Sequence, residues 1–197
     1  MAIDTTKIHV GTARIFVGVT PPATGTPPTW LTHTAGVPAT GTDIGATDGD
    51  CVFKYQLTKQ EIFAEQELAP VDVYSSDEAC SLVFTLKELN YTALKVAFDS
   101  GTSSGIGNVD DGTRTGFYGG GGSAILLPTQ QCFVFSAMNR VAPTKFIIGV
   151  IYKAYSLLGT EAPIRKKGET MIKCELHGLA DLTRNAGDRM FQLSREK

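Results

Sequence analysis

The sequence predicts a mainly β chain, a β-sandwich or barrel-like subunit with one flanking α-helix, and three observations predict it. First, short alternating apolar runs recur along the chain, among them "CVFKYQL" at 51–57 and "GETMIKCELHG" at 168–178. They have the two-residue period of half-buried strands. Second, one stretch, "ACSLVFTLKELNYTALKVAF" at 79–98, changes period without a turn. Leu82, Phe84 and Leu86 alternate with Ser81, Val83 and Thr85, whereas Tyr91, Leu94, Ala97 and Phe98 fall three or four apart, as on one face of a short helix with Asn90 as its N-cap. Third, two long segments rich in Gly, Pro and Thr, at about 18–50 and 99–124, separate the strand runs. The 197 residues suit a single domain over 1–197 with long loop excursions, and no internal repeat has the period of a solenoid or propeller.

Taken in order, residues 7–17 read as a strand whose phase slips near Gly11, because Ile8 and Val10 are in register with each other but not with Ile15 and Val17. In the first excursion, Pro21, Pro22, Pro27, Pro28 and Pro38 remove backbone donors and fix φ, so regular sheet is not expected over 18–50. Trp30, the single tryptophan, is there either an anchor on its own domain or a knob for a neighbouring chain. After the strand that carries Cys51, Phe53, Tyr55 and Leu57 on one face, Glu61, Phe63, Glu65 and Glu67 share a face for as long as the backbone stays extended. That acidic row is a solvated face or a surface that repels an anion. The last third is strand after strand, at 132–140, 144–157, 168–178 and 189–195. In the second of these Phe146, Ile148, Val150 and Tyr152 lie on one face, and Ile147 and Ile151 on the other. A strand apolar on both faces is central in a sandwich or buried against another subunit.

Several function classes are not supported. A formal charge of -2 leaves no basic footprint for gripping nucleic acid. Cys51, Cys80, Cys132 and Cys174 have no C-x-x-C or Cys-His spacing and read as buried free thiols, which favours assembly in a reducing cytoplasm. The amino terminus has no signal pattern, no apolar run approaches the ~20 residues a bilayer needs, and no membrane association is expected. His9, His33 and His177 lack ligand partners at metal spacing, the four glycines ending at Gly122 are not followed by the Lys of a phosphate loop, and "NVDDGT" lacks the spacing of a calcium loop. No G-x-S-x-G elbow occurs. The expectation is a non-enzyme with no catalytic residue, cofactor or metal.

Against that background the order of elements resembles the tail tube (major tail) proteins of long-tailed bacteriophages. The resemblance rests on Trp30 followed by "DIGATDG" at 43–49, on "PVDVY" at 70–74, on "ACSLVFTLKELNYTALKVAF", on "KKGETMIKCELHGLAD" at 166–181 and on the closing "GDRMFQLSRE". It implies a tail-tube-type subunit, six copies to a ring and rings stacked into a tube that conducts DNA during ejection. Partners would be further copies, the tail terminator, and baseplate or distal tail proteins, with tape measure protein and DNA passing through the lumen without specific binding. The location would be the virion tail, assembled in the bacterial host cytoplasm. Glu61, Glu65 and Glu67 are the candidate lumen-facing residues, since an acidic wall does not hold phosphates. Trp30, Phe117, Tyr118, Phe146, Ile147 and Ile151 are the candidate subunit-interface residues. The alternatives are a tail-completion or baseplate ring protein of the same fold, and a carbohydrate-binding β-sandwich.

Overall fold

The computed structural model describes residues 13–26, 38–65, 69–88, 90–98, 107–110, 113, 115–118, 130–138, 145–156 and 169–195, with backbone alone for 107–110 and 115–118. The expected β-dominated architecture with one short flanking helix is what it shows. Its strands are β1 (Ala13–Val17), β2 (Thr42–Asp43), β3 (Thr47–Phe63), β4 (Pro70–Leu86), β5 (Gly107–Asp110), β6 (Thr115–Tyr118), β7 (Gln131–Met138), β8 (Phe146–Ser156), β9 (Ile172–Leu179) and β10 (Phe191–Arg195), and its helix is α1 (Tyr91–Ala97). Eight strands form one antiparallel sheet in the order β2-β1-β7-β8-β9-β4-β3, with β10 also on β8, while β5 and β6 pair with each other.

The ends of that sheet are brought together by the chain itself. Strands β2 and β3 lie at opposite ends of the order, yet only residues 44–46 separate them. Three residues span at most ~11 Å, so the sheet must curl until its margins meet at that corner. Ile44 N–H donates to Ile15 O at 3.0 Å on one side, and Ala46 O accepts from Lys87 N at 3.0 Å and Glu88 N at 3.2 Å on the other. Strand-to-strand pairing does not close the curl into a barrel among the described residues.

The same corner explains how β4 runs straight into α1. Asn90 Oδ1 accepts from Ala93 N at 2.8 Å, the expected N-cap, and Asn90 Nδ2 donates to Ile44 O at 3.0 Å. Gly45 holds φ at +96°, and a methyl there would approach Asn90 Nδ2 and Glu88 Oε2 to 2.8 Å. Only glycine meets both the left-handed backbone and the space. The helix face differs from the one expected. Ala93, Val96 and Ala97 are buried with Leu94 beside them, while Phe98 is exposed. The cap fixes the rotation of a two-turn helix, and alanines at 93 and 97 allow the closest approach to the sheet.

The inside of the curl holds Ile15, Val17, Ile44, Leu82, Phe84, Leu86, Phe133, Ile151, Ile172, Cys174 and Leu176. A second cluster, Phe16, Val19, Cys132, Val134, Phe146, Ile148, Val150 and Tyr152, covers the opposite face of β1, β7 and β8. Strand β8, between β7 and the pair β9 and β10, is thus a central strand buried on both faces within its own chain.

Two expectations about the excursions need correction. The 18–50 segment contains β2 and the first four residues of β3, and 99–124 contains the β5–β6 pair. Short polar strands with little apolar alternation are silent to a periodicity reading, because their pairing comes from neighbours and not from a buried face.

Candidate functional site

The longest elements, β3 and β4, are 17 residues each and pair from Thr47–Leu86 to Phe63–Pro70, with register shifts at Asp48/Val52, Thr58/Lys59 and Ile62/Phe63. Strand β4 meets β9 only over Ser81–Leu86, so the distal part of the hairpin leaves the sheet as a two-stranded arm. Every residue from Thr58 to Phe63 and from Pro70 to Ala79 is exposed. Ten residues at strand rise make the arm about 30 Å long.

Cross-strand pairs assign its faces, since opposite residues share a side. Glu61 pairs with Val73 and Lys59 with Ser75 on one face, where Phe63 also lies. Gln60 pairs with Tyr74 and Ile62 with Asp72 on the other, and the Tyr74 hydroxyl donates to Gln60 Oε1. Each face presents large apolar groups to water: Phe63 (60% exposed) and Val73 (48%) on the first, Ile62 (43%) and Tyr74 (50%) on the second. Val71, at a register shift near the tip, is exposed as well. Over 58–79 the sequence has one lysine against six acids, Glu61, Glu65, Glu67, Asp72, Asp77 and Glu78, whereas the remainder of the chain has 17 basic and 14 acidic residues. The arm is an acidic, partly apolar projection.

The predicted site residues distribute as follows. Glu61 lies on the arm, and Glu65 sits in the turn after β3 ends at Phe63, so the two do not form a continuous strand face. Glu67 and Trp30 lie outside the described residues, as does the phase slip near Gly11. Phe117 and Tyr118 are on β6, without described side chains. Phe146 and Ile151 are buried in the chain's own core, one in each cluster, and Ile147 is half-buried on β8. The arm itself went unread in the sequence. Its signal is two extended runs of equal length mirrored about "AEQELA", with apolar residues at both parities and not at one.

A cleft of about 690 Å³ opens at the base of the arm, where Tyr55 and Glu78 face Gly178–Ala180, Ala186, Gly187 and Arg189–Phe191. Phe191 meets Phe53 edge-on and Tyr55 at a tilt, with ring centroids 5.1 and 5.0 Å apart, and the exposed Arg189 is part of the lining, its Nε donating to Arg184 O at 3.2 Å.

Behind this cleft the loop between β9 and β10 ties down the start of the first excursion. Arg184, nearly fully buried, donates to Pro22 O at 2.8 Å and Asp188 Oδ2 at 2.9 Å, and its guanidinium lies 3.6 Å from the Tyr152 ring centroid. Asp188 also accepts from Gly25 N at 3.2 Å and from the Tyr152 hydroxyl. Burial alone would raise the Asp188 carboxyl, but hydrogen bonds from Tyr152, Gly25 and Arg184 together hold it below its ordinary value. Asp181 is held low by Lys153 at 3.0 Å and by Thr183. Burial pushes the Tyr152 phenol up.

Nucleophilic chemistry finds no footing in the cysteines. All four are free, and burial pushes the Cys51 and Cys80 thiols up to about 11 and those of Cys132 and Cys174 up to about 12, so they stay protonated near neutrality. Among the described residues no three His, Cys, Asp or Glu side chains gather to hold a metal ion, and no helix is long and apolar enough to cross a membrane.

No family model and no curated protein matches the chain. Among solved structures it is similar to a chain in the cryo-EM structure of the anti-feeding prophage baseplate, six-fold symmetrised, at 10% identity and a TM-score of 0.43, covering 100% of this chain and 97% of that one.

Proposed function

We propose that the chain is a self-assembling structural protein of a phage-like tail, six copies forming a ring and rings stacking into a tube. The observation that carries the reading is the arm: an isolated two-stranded hairpin is marginal in water, and one that exposes apolar groups on both faces is suited to burial in a larger assembly. The outer edge of β3 supports it further, because 17 residues of edge strand without a described partner offer unpaired N–H and C=O groups to an adjacent copy. In a closed ring such edges are satisfied. On this reading the chain has a structural role without catalysis, it belongs to the virion, and the terminator, distal tail, tape measure protein and DNA of the resembling tails are its counterparts.

Negative-stain electron microscopy of the purified, concentrated protein tests it. Long hollow tubes support the tube reading, isolated rings assign the chain to a tail-completion or baseplate ring, and dispersed monomers reject both. The lumen role of Glu61 and Glu65 is separable. With both changed to lysine, tubes that form normally but retard DNA passage place these residues on the conduit wall, whereas loss of tubes places them at a contact between copies.

A further inference from the structure

We infer that the arm of one copy seats in the cleft at the base of the arm of the next copy, a head-to-tail contact in which Glu61 faces Arg189. The inference rests on the self-assembly reading and names its docking surface. The β3–β4 ladder, with register shifts at Thr58/Lys59 and Ile62/Phe63, carries the arm away from its own base, so an arm that seats in that cleft belongs to another copy. The chemistry is complementary. The arm offers Phe63 and Val73 beside Glu61, while the cleft is lined by the aromatic rings of Tyr55 and Phe191 together with Arg189 and Glu78. The charge match is local, one acid against one cation, Glu61 on the arm and Arg189 in the cleft lining. A cleft also accounts for the second apolar face, because an inserted hairpin is covered on more than one side, which a flat surface does not do. Since the surfaces that meet are different, the contact is heterologous and repeats from copy to copy, closing into a ring or continuing as a filament.

The test combines charge exchange with position-specific cross-linking on the full chain. E61R and R189E should each lower the assembled fraction in sedimentation by about tenfold, and the double variant should recover most of it. Singles that assemble like the parent, or a double worse than either single, overturn the contact. Should R189E fail to fold, a photo-cross-linking residue at Phe63 decides. In assemblies mixed from heavy-isotope and unlabelled chains, it should join residues 178–191 of a different copy, and cross-links elsewhere or within one copy overturn the proposal. A parent chain that stays monomeric overturns this contact and the self-assembly reading together, whereas a chain that assembles without the 178–191 cross-link overturns this contact alone.

Discussion

The two halves of the β3–β4 hairpin have the same pairing and opposite fates. In the proximal half Phe53 packs against Phe135 at 5.5 Å, Leu82, Phe84 and Leu86 are fully buried, and β9 supports β4 through six register pairs from Ser81–His177 to Leu86–Ile172. In the distal half the ladder continues from Thr58–Asp77 to Phe63–Pro70, yet among the described residues no third strand joins and no side chain of these pairs is buried. Hydrogen-bonded pairing is common to both halves, so it cannot be what distinguishes stable body from projecting arm. The difference is apolar area removed from water, roughly 25 cal/mol for each Å². On the proposed reading, an arm that keeps its apolar residues without burying them meets a surface outside its own chain.

That contrast can be broken from either side, and the largest effect is expected in the body. Phe84→Ala removes a fully buried ring and should cost about 3–5 kcal/mol in chemical denaturation, with loss of the fold as the limiting outcome. Next is Arg184→Ala, which removes the donor to Pro22 O and one of the three donors to the Asp188 carboxylate and should cost about 3 kcal/mol. Gly45→Ala, which forces a methyl against Asn90 and Glu88 at positive φ, should cost about 2 kcal/mol and lower helical content at α1.

Acid should act more gently. Asp181 and Asp188 have folded-state pKa values below the ordinary 3.8, so their stabilisation is fully present above that value and is lost as pH falls beneath it through the folded pKa. Melting temperature measured from pH 6 downward should therefore fall more steeply below about 4 in the parent than in Asp188→Asn.

The smallest effect on stability belongs to the arm. Phe63→Ala should change monomer stability by less than about 0.5 kcal/mol while sharply reducing assembly. A large loss of monomer stability from that substitution would mean the arm is part of the body, and the comparison would fail.

Much of the fold was legible. The alternation at 51–57, 79–86 and 168–178 falls on β3, β4 and β9, the strands read in the last third correspond to β7, β8, β9 and β10, and Asn90 caps α1. These features depend on residues close in sequence. The arm was less legible because an exposed strand has no buried parity to reveal it, and Ile62, Phe63, Val73 and Tyr74 divide between two faces. Arg184 gave no sequence signal beyond the turn residues Gly187 and Asp188 nearby, since its partner Pro22 lies 162 positions away.

The sequence by itself determined the strand periods, the one change from sheet to helix, the free thiols and the acid-rich run in 58–79, because each follows from local side-chain pattern and composition. Only the tertiary structure decided that the sheet curls at Ile44–Ala46, that β8 is covered on both faces, and that half of one hairpin is left in water. Those outcomes depend on which distant strands compete for the same edge and the same apolar cover, and a one-dimensional pattern does not record that competition.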